Sequence, residues 1–322
     1  MRRRLVKRYA NLDRALVMGR GVWRWQWERR FAGLPRPPNE GYAAFASRWS
    51  LPPDFGAGGA RAWWLGHATV LLRVGGLYLV TDPHLGLRAS PFSFAGPKRH
   101  VPPPAPADRL PKIDVVLVSH NHYDHLDEGS ILSLLRINPE LVCYVPMGLA
   151  RWFERRGVRH IHELDWWQKH GYQDLEIHCV PAQHWSSRWI IDRNHTLWSG
   201  WVVKAPTLNF YFSGDTGYTS RLKEISERLG EPDLAALPIG AYAPRWFMAP
   251  QHVDPPEAVR LHRELKVRHS LAIHWGTFEM ADDSLDEPLP LLQRAMAQNG
   301  LGAEDFWVLR QGESRPLPVR GS

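Results

Sequence analysis

The strongest constraint on this chain is the stretch Ser119-His120-Asn121-His122-Tyr123-Asp124-His125-Leu126-Asp127. It packs three histidines and an aspartate into six residues, directly after the apolar run Val115-Val116-Leu117-Val118. Such a density of imidazole and carboxylate suits zinc or a similar divalent ion, which takes borderline-soft nitrogens together with a hard oxygen. A strand sends alternate residues to one side, so His120 and His122 can aim together where the strand gives way to a loop. Asp124 and His125 are neighbours, and would more readily face a second ion than crowd onto the first. With 16 histidines in 322 residues, a chance H-x-H-x-D-H is expected in well under roughly one per cent of such chains.

The rest of the composition narrows the class. Hydrophobic residues at 44% and charged ones at 23% describe a globular protein with material for a sizeable core. The two cysteines, Cys143 and Cys179, offer no disulfide framework and fit a reducing compartment. Residues 1–31 hold ten Arg and Lys against Asp13 and Glu28, which is +8 of a whole-chain net charge of +7, so the body carries about −1. A near-neutral body argues against a broad nucleic-acid footprint. No apolar run approaches the roughly 18–20 residues that span a bilayer. Arg2-Arg3-Arg4 resembles the start of a twin-arginine signal, but Arg14, Arg20 and Arg24 interrupt every apolar stretch that would have to follow.

Taken in order, Leu5, Tyr9, Leu12 and Leu16 recur at helical spacing and predict an amphipathic helix over residues 3–19, interrupted by Gly19 and Gly21. Trp23, Trp27 and Phe31 continue an aromatic stripe among arginines, the composition of a segment lying on an anionic membrane surface. The competing expectation is that the stripe packs on the body. Residues 33–60, rich in Pro and Gly, read as a connecting wrap. The chain therefore divides into an N-terminal extension, 1–60, and a main domain, 61–322. Short strands begin at Ala62, with Gly75-Gly76 as a hairpin turn signal. Asp254-Pro255-Pro256-Glu257 is a helix start with a reciprocal cap.

Four places share one arrangement, a strand with a metal-type residue at its C-terminal end: the His120/His122/Asp124/His125 cluster, His184, Asp215 and His274. Seven ligands divide into three histidines for one ion, an aspartate and two histidines for the other, and one shared carboxylate. Gly214 and Gly217 beside Asp215 would allow close backbone approach.

These motifs resemble those of the metallo-β-lactamase superfamily of binuclear hydrolases. Within it they are most similar to the N-acylphosphatidylethanolamine-hydrolysing phospholipase D family. The segments that carry the resemblance include W-L-G-H-A-T from Trp64, T-D-P from Thr81, G-P-K-R from Gly96, Q-H-W from Gln183 and G-D-T-G-Y from Gly214. The most specific is P-I-G-A-Y-x-P-R-W-F-M-x-x-Q-H-V-D-P from Pro238, followed by I-H-W-G-T-F from Ile273. The resemblance spans about residues 60–315.

It implies an α/β (α+β) fold, a four-layer αββα sandwich with metals at one edge between two sheets. It implies two zinc ions, iron or manganese being alternatives. One would be held by His120, His122 and His184, the other by Asp124, His125 and His274, with Asp215 bridging. Tyr123 and His252 fall where the family places substrate contacts, and family members commonly dimerise and bind membranes peripherally.

The expected reaction is hydrolysis of an N-acylphosphatidylethanolamine-like phosphodiester to phosphatidic acid and N-acylethanolamine. Two ions roughly 3.5–4 Å apart can share a water and present hydroxide to phosphorus. Asp124 would orient that group, and His252 would stabilise charge or help the departing alkoxide take a proton. Trp166, Trp167, Trp185, Trp189 and Trp246, with Phe247 and Met248, support a lipid substrate. The expected setting is cytoplasmic, peripherally attached to a membrane through the arm, with no nucleic-acid partner. The rival readings are a binuclear hydrolase of a soluble lactone, cyclic phosphodiester or RNA, and a membrane-attached zinc scaffold.

Overall fold

The structure, a computed structural model, describes residues 8–13, 19–189 and 191–317. Two seven-stranded sheets form its centre. The first takes β1 (Arg61–Gly66), β2 (Thr69–Val74), β3 (Leu77–Thr81), β4 (Val115–Leu117), β5 (Val142–Pro146) and β6 (His160–Leu164) in spatial succession. The second takes β7 (Lys169–Tyr172), β8 (Leu175–Val180), β9 (Gly200–Ala205), β10 (Leu208–Phe212), β11 (Leu234–Pro238), β12 (His269–Ile273) and β13 (Phe306–Trp307). The last strand, β14 (Ser314–Pro316), returns to pair antiparallel with β1. The predicted Gly75-Gly76 turn joins the antiparallel pair β2 and β3.

Strand periodicity explains the layers. Ala62 and Trp64 on β1, Val115 and Leu117 on β4, and Val142 and Tyr144 on β5 face the second sheet, packing with Ile177, Trp201 and Val203. Their neighbours Trp63, Leu65, Val116, Cys143 and Val145 belong to a separate cluster with Ile131, Leu134 and Phe153. A strand buried on both faces reads as a continuous apolar run, and β4, β5, β10 and β11 are buried at every position.

The helices are α1 (Gly19–Ala32), α2 (Tyr42–Arg48), α3 (Glu128–Ile137), α4 (Ala150–Glu154), α5 (Glu224–Leu229), α6 (Arg245–Met248), α7 (Pro255–Glu264) and α8 (Pro288–Gln298). α3 and α4 cover the outer face of the first sheet, and α7 with α8 cover the second. The result is the predicted four-layer αββα sandwich.

The N-terminal expectation needs correcting. Residues 8–13, inside the predicted helix 3–19, are irregular backbone, and residues 1–7 and 14–18 lie outside the described residues. Helix is instead described from Gly19 onward and runs through Gly21, one of the two glycines expected to interrupt it. Glycine costs a helix interior about 1 kcal/mol relative to alanine, but tertiary docking decides here. Trp25 stacks on Phe247 with centroids 5.0 Å apart, and its indole nitrogen donates to Asp282 at 2.9 Å. The 33–60 wrap also contains a helix, α2, which buries Phe45 against the sheet interior. Among the described residues no helix is long and apolar enough to cross a membrane.

Candidate metal centre

All seven predicted ligands come together at one edge of the sandwich, where β4, β8, β10 and β12 end. The first group is His120, His122 and His184. His122 Nδ1 lies 2.8 Å from His120 Nε2 and 3.3 Å from His184 Nε2. The second is Asp124, His125 and His274. Asp124 Oδ2 lies 3.3 Å from His125 Nε2 and 3.4 Å from His274 Nε2. Asp215 reaches both groups. Its Oδ2 is 3.1 Å from His125, 3.7 Å from His184 and 4.0 Å from His120, and its Oδ1 is 3.2 Å from His274. Donor atoms about 2.0–2.1 Å from a tetrahedral ion sit ~3.3 Å from one another. The second group therefore has the edge lengths of a metal tetrahedron, and the first is slightly more spread.

The orientation of each ring is fixed from behind. His184 Nδ1 donates to the Gln251 carbonyl at 3.0 Å, leaving Nε2 as the donor to a metal. Asp82 accepts from Ser119 N–H at 2.7 Å, from the Ser119 hydroxyl, and from His125 Nδ1 at 2.6 Å. With its hydroxyl proton committed to Asp82, Ser119 Oγ accepts from His120 Nδ1 at 2.8 Å. His67 Nε2 lies 2.9 Å from Asp124 Oδ2 and donates to it. Partners of this kind set the tautomer and the basicity of metal-ligating imidazoles.

The backbone is unusual at the same place. His67, Asp82, Ala241 and His274 all have positive φ, between 32° and 60°. For residues other than glycine such conformations cost on the order of 1–3 kcal/mol each and gather at functional sites. Gly214, with φ 58°, permits the close approach expected of it: a Cβ there would lie 2.6 Å from the Ser119 Cβ.

Charge completes the case for a cation. Burial holds His120 well below the ordinary histidine range, and takes His122 to about 3 and His184 to about 4. These three are neutral nitrogen donors. Burial also opposes charge on His125 and His274, but Asp215 and Asp124 outweigh it, raising His125 well above its usual value and His274 to about 9. Burial would push Asp124 and Asp215 up, yet His125 and its neighbours keep both far below the carboxylate range. His125 Nε2, His274 Nε2 and Asp215 Oδ1 make no well-aligned hydrogen bond, although the imidazoles and the carboxylates face one another across 3.1–3.4 Å. Two buried carboxylates surrounded by unsatisfied imidazole nitrogens fit divalent ions, which would displace the protons now on His125 and His274.

His252 is buried, with its ring centroid 5.1 Å from that of His184 and 5.5 Å from that of His274. Its carbonyl accepts from Arg245 Nη1 at 2.8 Å, and Arg245 Nη2 bonds Glu257 Oε2 at 2.7 Å. The predicted capping box is present, with Asp254 and Glu257 bonding reciprocally, so His252 sits two residues before a firmly capped helix. Burial holds its imidazole well below the ordinary range, leaving a neutral ring. Tyr123 lines the cleft under the Arg188 guanidinium, 4.0 Å from its ring.

A cleft of about 280 Å³ opens over this floor. Its upper wall is Trp25, Trp185, Phe247, Met248 and Met280. A larger cleft of about 670 Å³, running from Arg36 to Gln293, has no such cluster at its base among the described residues. The sequence tryptophans separate into two kinds. Trp166 and Trp167 pack against the interior, whereas Trp185 lines the cleft and Trp189 and Trp246 face solvent. His67, Asp82, Ser119 and Gln251 received no role from sequence, although W-L-G-H and T-D-P contain two of them. The available signal was position, with Asp82 and Ser119 just past strand ends and His67 in a β-turn, whereas nothing local marked Gln251.

Comparison with known proteins agrees with this geometry. A family described as "Beta-lactamase superfamily domain" matches residues 78–275. The N-acyl-phosphatidylethanolamine-hydrolyzing phospholipase D 1 of Caenorhabditis elegans is 43% identical over 267 residues, covering 79% of this chain and 75% of that protein. The chain belongs to the N-acyl-phosphatidylethanolamine-hydrolyzing phospholipase D family of the beta-lactamase superfamily.

A second member of this family, the mitochondrial N-acyl-phosphatidylethanolamine-hydrolyzing phospholipase D of Saccharomyces cerevisiae, is 35% identical over 71% of this chain and 50% of its own length. The fold is shared with a possible metal-dependent hydrolase from Veillonella parvula, at TM-score 0.65 and 18% identity, covering 81% of this chain and all of that one. Membership of the phospholipase D family makes this chain a metal-dependent hydrolase whose His/Asp cluster can hold metal.

Proposed function

We propose that this protein hydrolyses N-acylphosphatidylethanolamine-like phospholipids at the phosphodiester, releasing phosphatidic acid and an N-acylethanolamine. The observation that carries this reading is the two-sided cleft. A floor of seven His and Asp ligands lies directly under an apolar wall of Trp25, Trp185, Phe247, Met248 and Met280. A diester phosphate suits the floor, and acyl chains suit the wall. The named relatives in the family support the same substrate class.

His120, His122, His184 and Asp215 would hold one ion, and Asp124, His125, His274 and Asp215 the other. Zinc fits best, because five of the seven ligands are imidazoles. When bound, such ions supply an acidified water and positive charge opposite the phosphate oxygens. The chain's own groups do the rest. Asp124, held by His67, orients the attacking group. A P–O bond forms to the water oxygen as the P–O bond to the ethanolamide oxygen breaks, and the proton that the water gives up ends on the departing oxygen. A neutral His252 serves as a hydrogen-bond donor to the charge that builds on oxygen. Tyr123 faces the same cleft as a substrate contact.

Membrane contact belongs to the same proposal. Trp23, Trp27 and Phe31 are 81%, 63% and 72% exposed on the helix that contributes Trp25 to the wall. Phe92 and Phe94, Trp189 and Ile191, and Trp246 are also exposed, each on a segment that lines the cleft nearby. Exposed aromatics with basic neighbours such as Arg24 and Arg30 suit an anionic bilayer surface. The test is an assay of purified protein on N-acylated and plain phosphatidylethanolamine in mixed micelles, with and without chelator. Chelator-sensitive release of N-acylethanolamine is expected. Cleavage that survives chelation would remove the metal-dependent mechanism, and no cleavage of either lipid alongside turnover of a lactone or cyclic phosphodiester would replace this reading with the soluble-substrate one.

A further inference from the structure

The N-terminal arm reaches the metal centre. Asn11 makes a two-way contact with the main chain of His184: its Nδ2 donates to the His184 carbonyl at 2.9 Å, and its Oδ1 accepts from the His184 N–H at 3.1 Å. The same Oδ1 accepts from the Trp198 indole at 2.9 Å. Two donors converging on one atom fix which end of the carboxamide is oxygen. The neighbouring arm residues are also tied down. Tyr9 N–H bonds the Asn194 carbonyl at 2.9 Å, and Asp13 accepts from the Thr219 hydroxyl. His184 itself lies beyond the end of β8, in a loop without ladder partners, so its main-chain groups have to be satisfied from outside the sheet.

We propose that Asn11 is a positioning residue for the metal centre, clamping the backbone of His184 while Gln251 fixes its ring. The arm that composition marked as a membrane segment is thereby also a structural part of the first ligand group. An asparagine side chain satisfies the peptide group of His184 as a neighbouring strand would, at the one ligand of this group that is remote in sequence from the other two. Loss of the clamp loosens His184 alone, because no described contact of Asn11 reaches Asp124, His125 or His274. The inference rests on the cluster holding two ions, and is independent of which lipid is cleaved.

The test uses the full-length protein loaded with zinc, as wild type, Asn11→Ala and Asn11→Asp. Each is dialysed against graded chelator, and the retained zinc is counted by elemental analysis. Wild type holding two ions establishes the metal reading, and wild type holding none sinks that reading and this proposal with it, whereas the variants below can sink this proposal alone. Asn11→Ala is expected to lose one ion at roughly 10–100-fold lower chelator, the usual cost of removing a residue that orients a ligand, with the second ion unmoved. Asn11→Asp keeps the acceptor and loses the donor, and should fall between. Cobalt-loaded samples should show a changed visible spectrum while the near-ultraviolet circular dichroism of the metal-free proteins stays the same. Wild-type retention of both ions in Asn11→Ala, or parallel loss of both, overturns the proposal. Should Asn11→Ala fail to fold, the same criteria applied to Asn11→Asp decide.

Discussion

The two halves of the metal floor hold similar ligands in opposite electrostatic states. His120, His122 and His184 are neutral, because burial dominates and each has imidazoles for neighbours. His125 and His274 take up protons, because they lie against Asp124 and Asp215. The first half is ready to bind and owes its geometry to a loop, Gln251 and the N-terminal arm. The second is already charge-balanced, and its rigidity comes from Asp82 and His67 behind it. The difference teaches that ligand identity alone does not set how a site fills. The carboxylate count does, through the protons that a metal has to displace.

Removing the shared carboxylate is the most severe way to break this contrast. Asp215→Ala should lower turnover by at least ~10³-fold, as expected when preorganised charge is lost at a reacting centre. It should also weaken both ions together in metal titrations. A variant that loses one ion only would mean that Asp215 does not join the halves.

The contrast itself predicts a split pH profile. A proton on His274, raised to about 9, competes with the second ion. Apparent affinity there should rise with pH up to about 9, roughly tenfold per unit for each proton displaced. The first half, with His122 at about 3 and His184 at about 4, should bind with little pH dependence between pH 5 and 8. Calorimetric titration with zinc at several pH values, in buffers of different ionisation heat, reads both the affinities and the protons released. Equal slopes for the two binding steps would dissolve the distinction.

A smaller and more selective effect is expected at Asp82. Asp82→Ala strips the acceptor from His125 and from Ser119, which in turn holds His120. Metal affinity should fall roughly 10–100-fold, more for the second half, whose histidine is bonded directly. Equal losses would show that Ser119 transmits the change as strongly as the direct bond does.

The mildest change lies outside the floor. Trp23→Ser with Trp27→Ser should reduce pelleting with anionic vesicles by several-fold to tenfold per ring, given about 1.5–3 kcal/mol for a fully buried large side chain and partial insertion here. Turnover of micellar substrate should change little. A matching loss in micelles would mean that the helix serves the cleft rather than the bilayer.

Much of the floor was legible because its ligands are chemically scarce residue types placed where strands end. His120 to His125 announce themselves, and His184, Asp215 and His274 follow the same rule. The capped helix after His252 was readable from Asp254 and Glu257, since capping is a local interaction. The N-terminal helix was not. The apolar period pointed to residues 3–19, of which 8–13 are irregular, whereas Gly19–Ala32, where glycines argued against a helix, is helical with Trp25 stacked on Phe247. The separate fates of the tryptophans were equally hidden, since nothing local tells Trp166, packed inward, from Trp189, facing solvent.

The sequence by itself singled out the His and Asp stations at strand ends and the concentration of positive charge in the first 31 residues, which residue chemistry and strand periodicity make readable over a few positions. Its motifs, by their resemblance to a known family, implied the layered αββα class. Only the tertiary structure decided which histidines are neutral and which distant side chains brace the two groups. Asn11 and His184 are 173 positions apart, and His67 and Asp124 are 57 apart. Burial, charge and hydrogen-bond geometry at those contacts depend on neighbours in space, and neighbours in space exist only once the sheets have closed over one another.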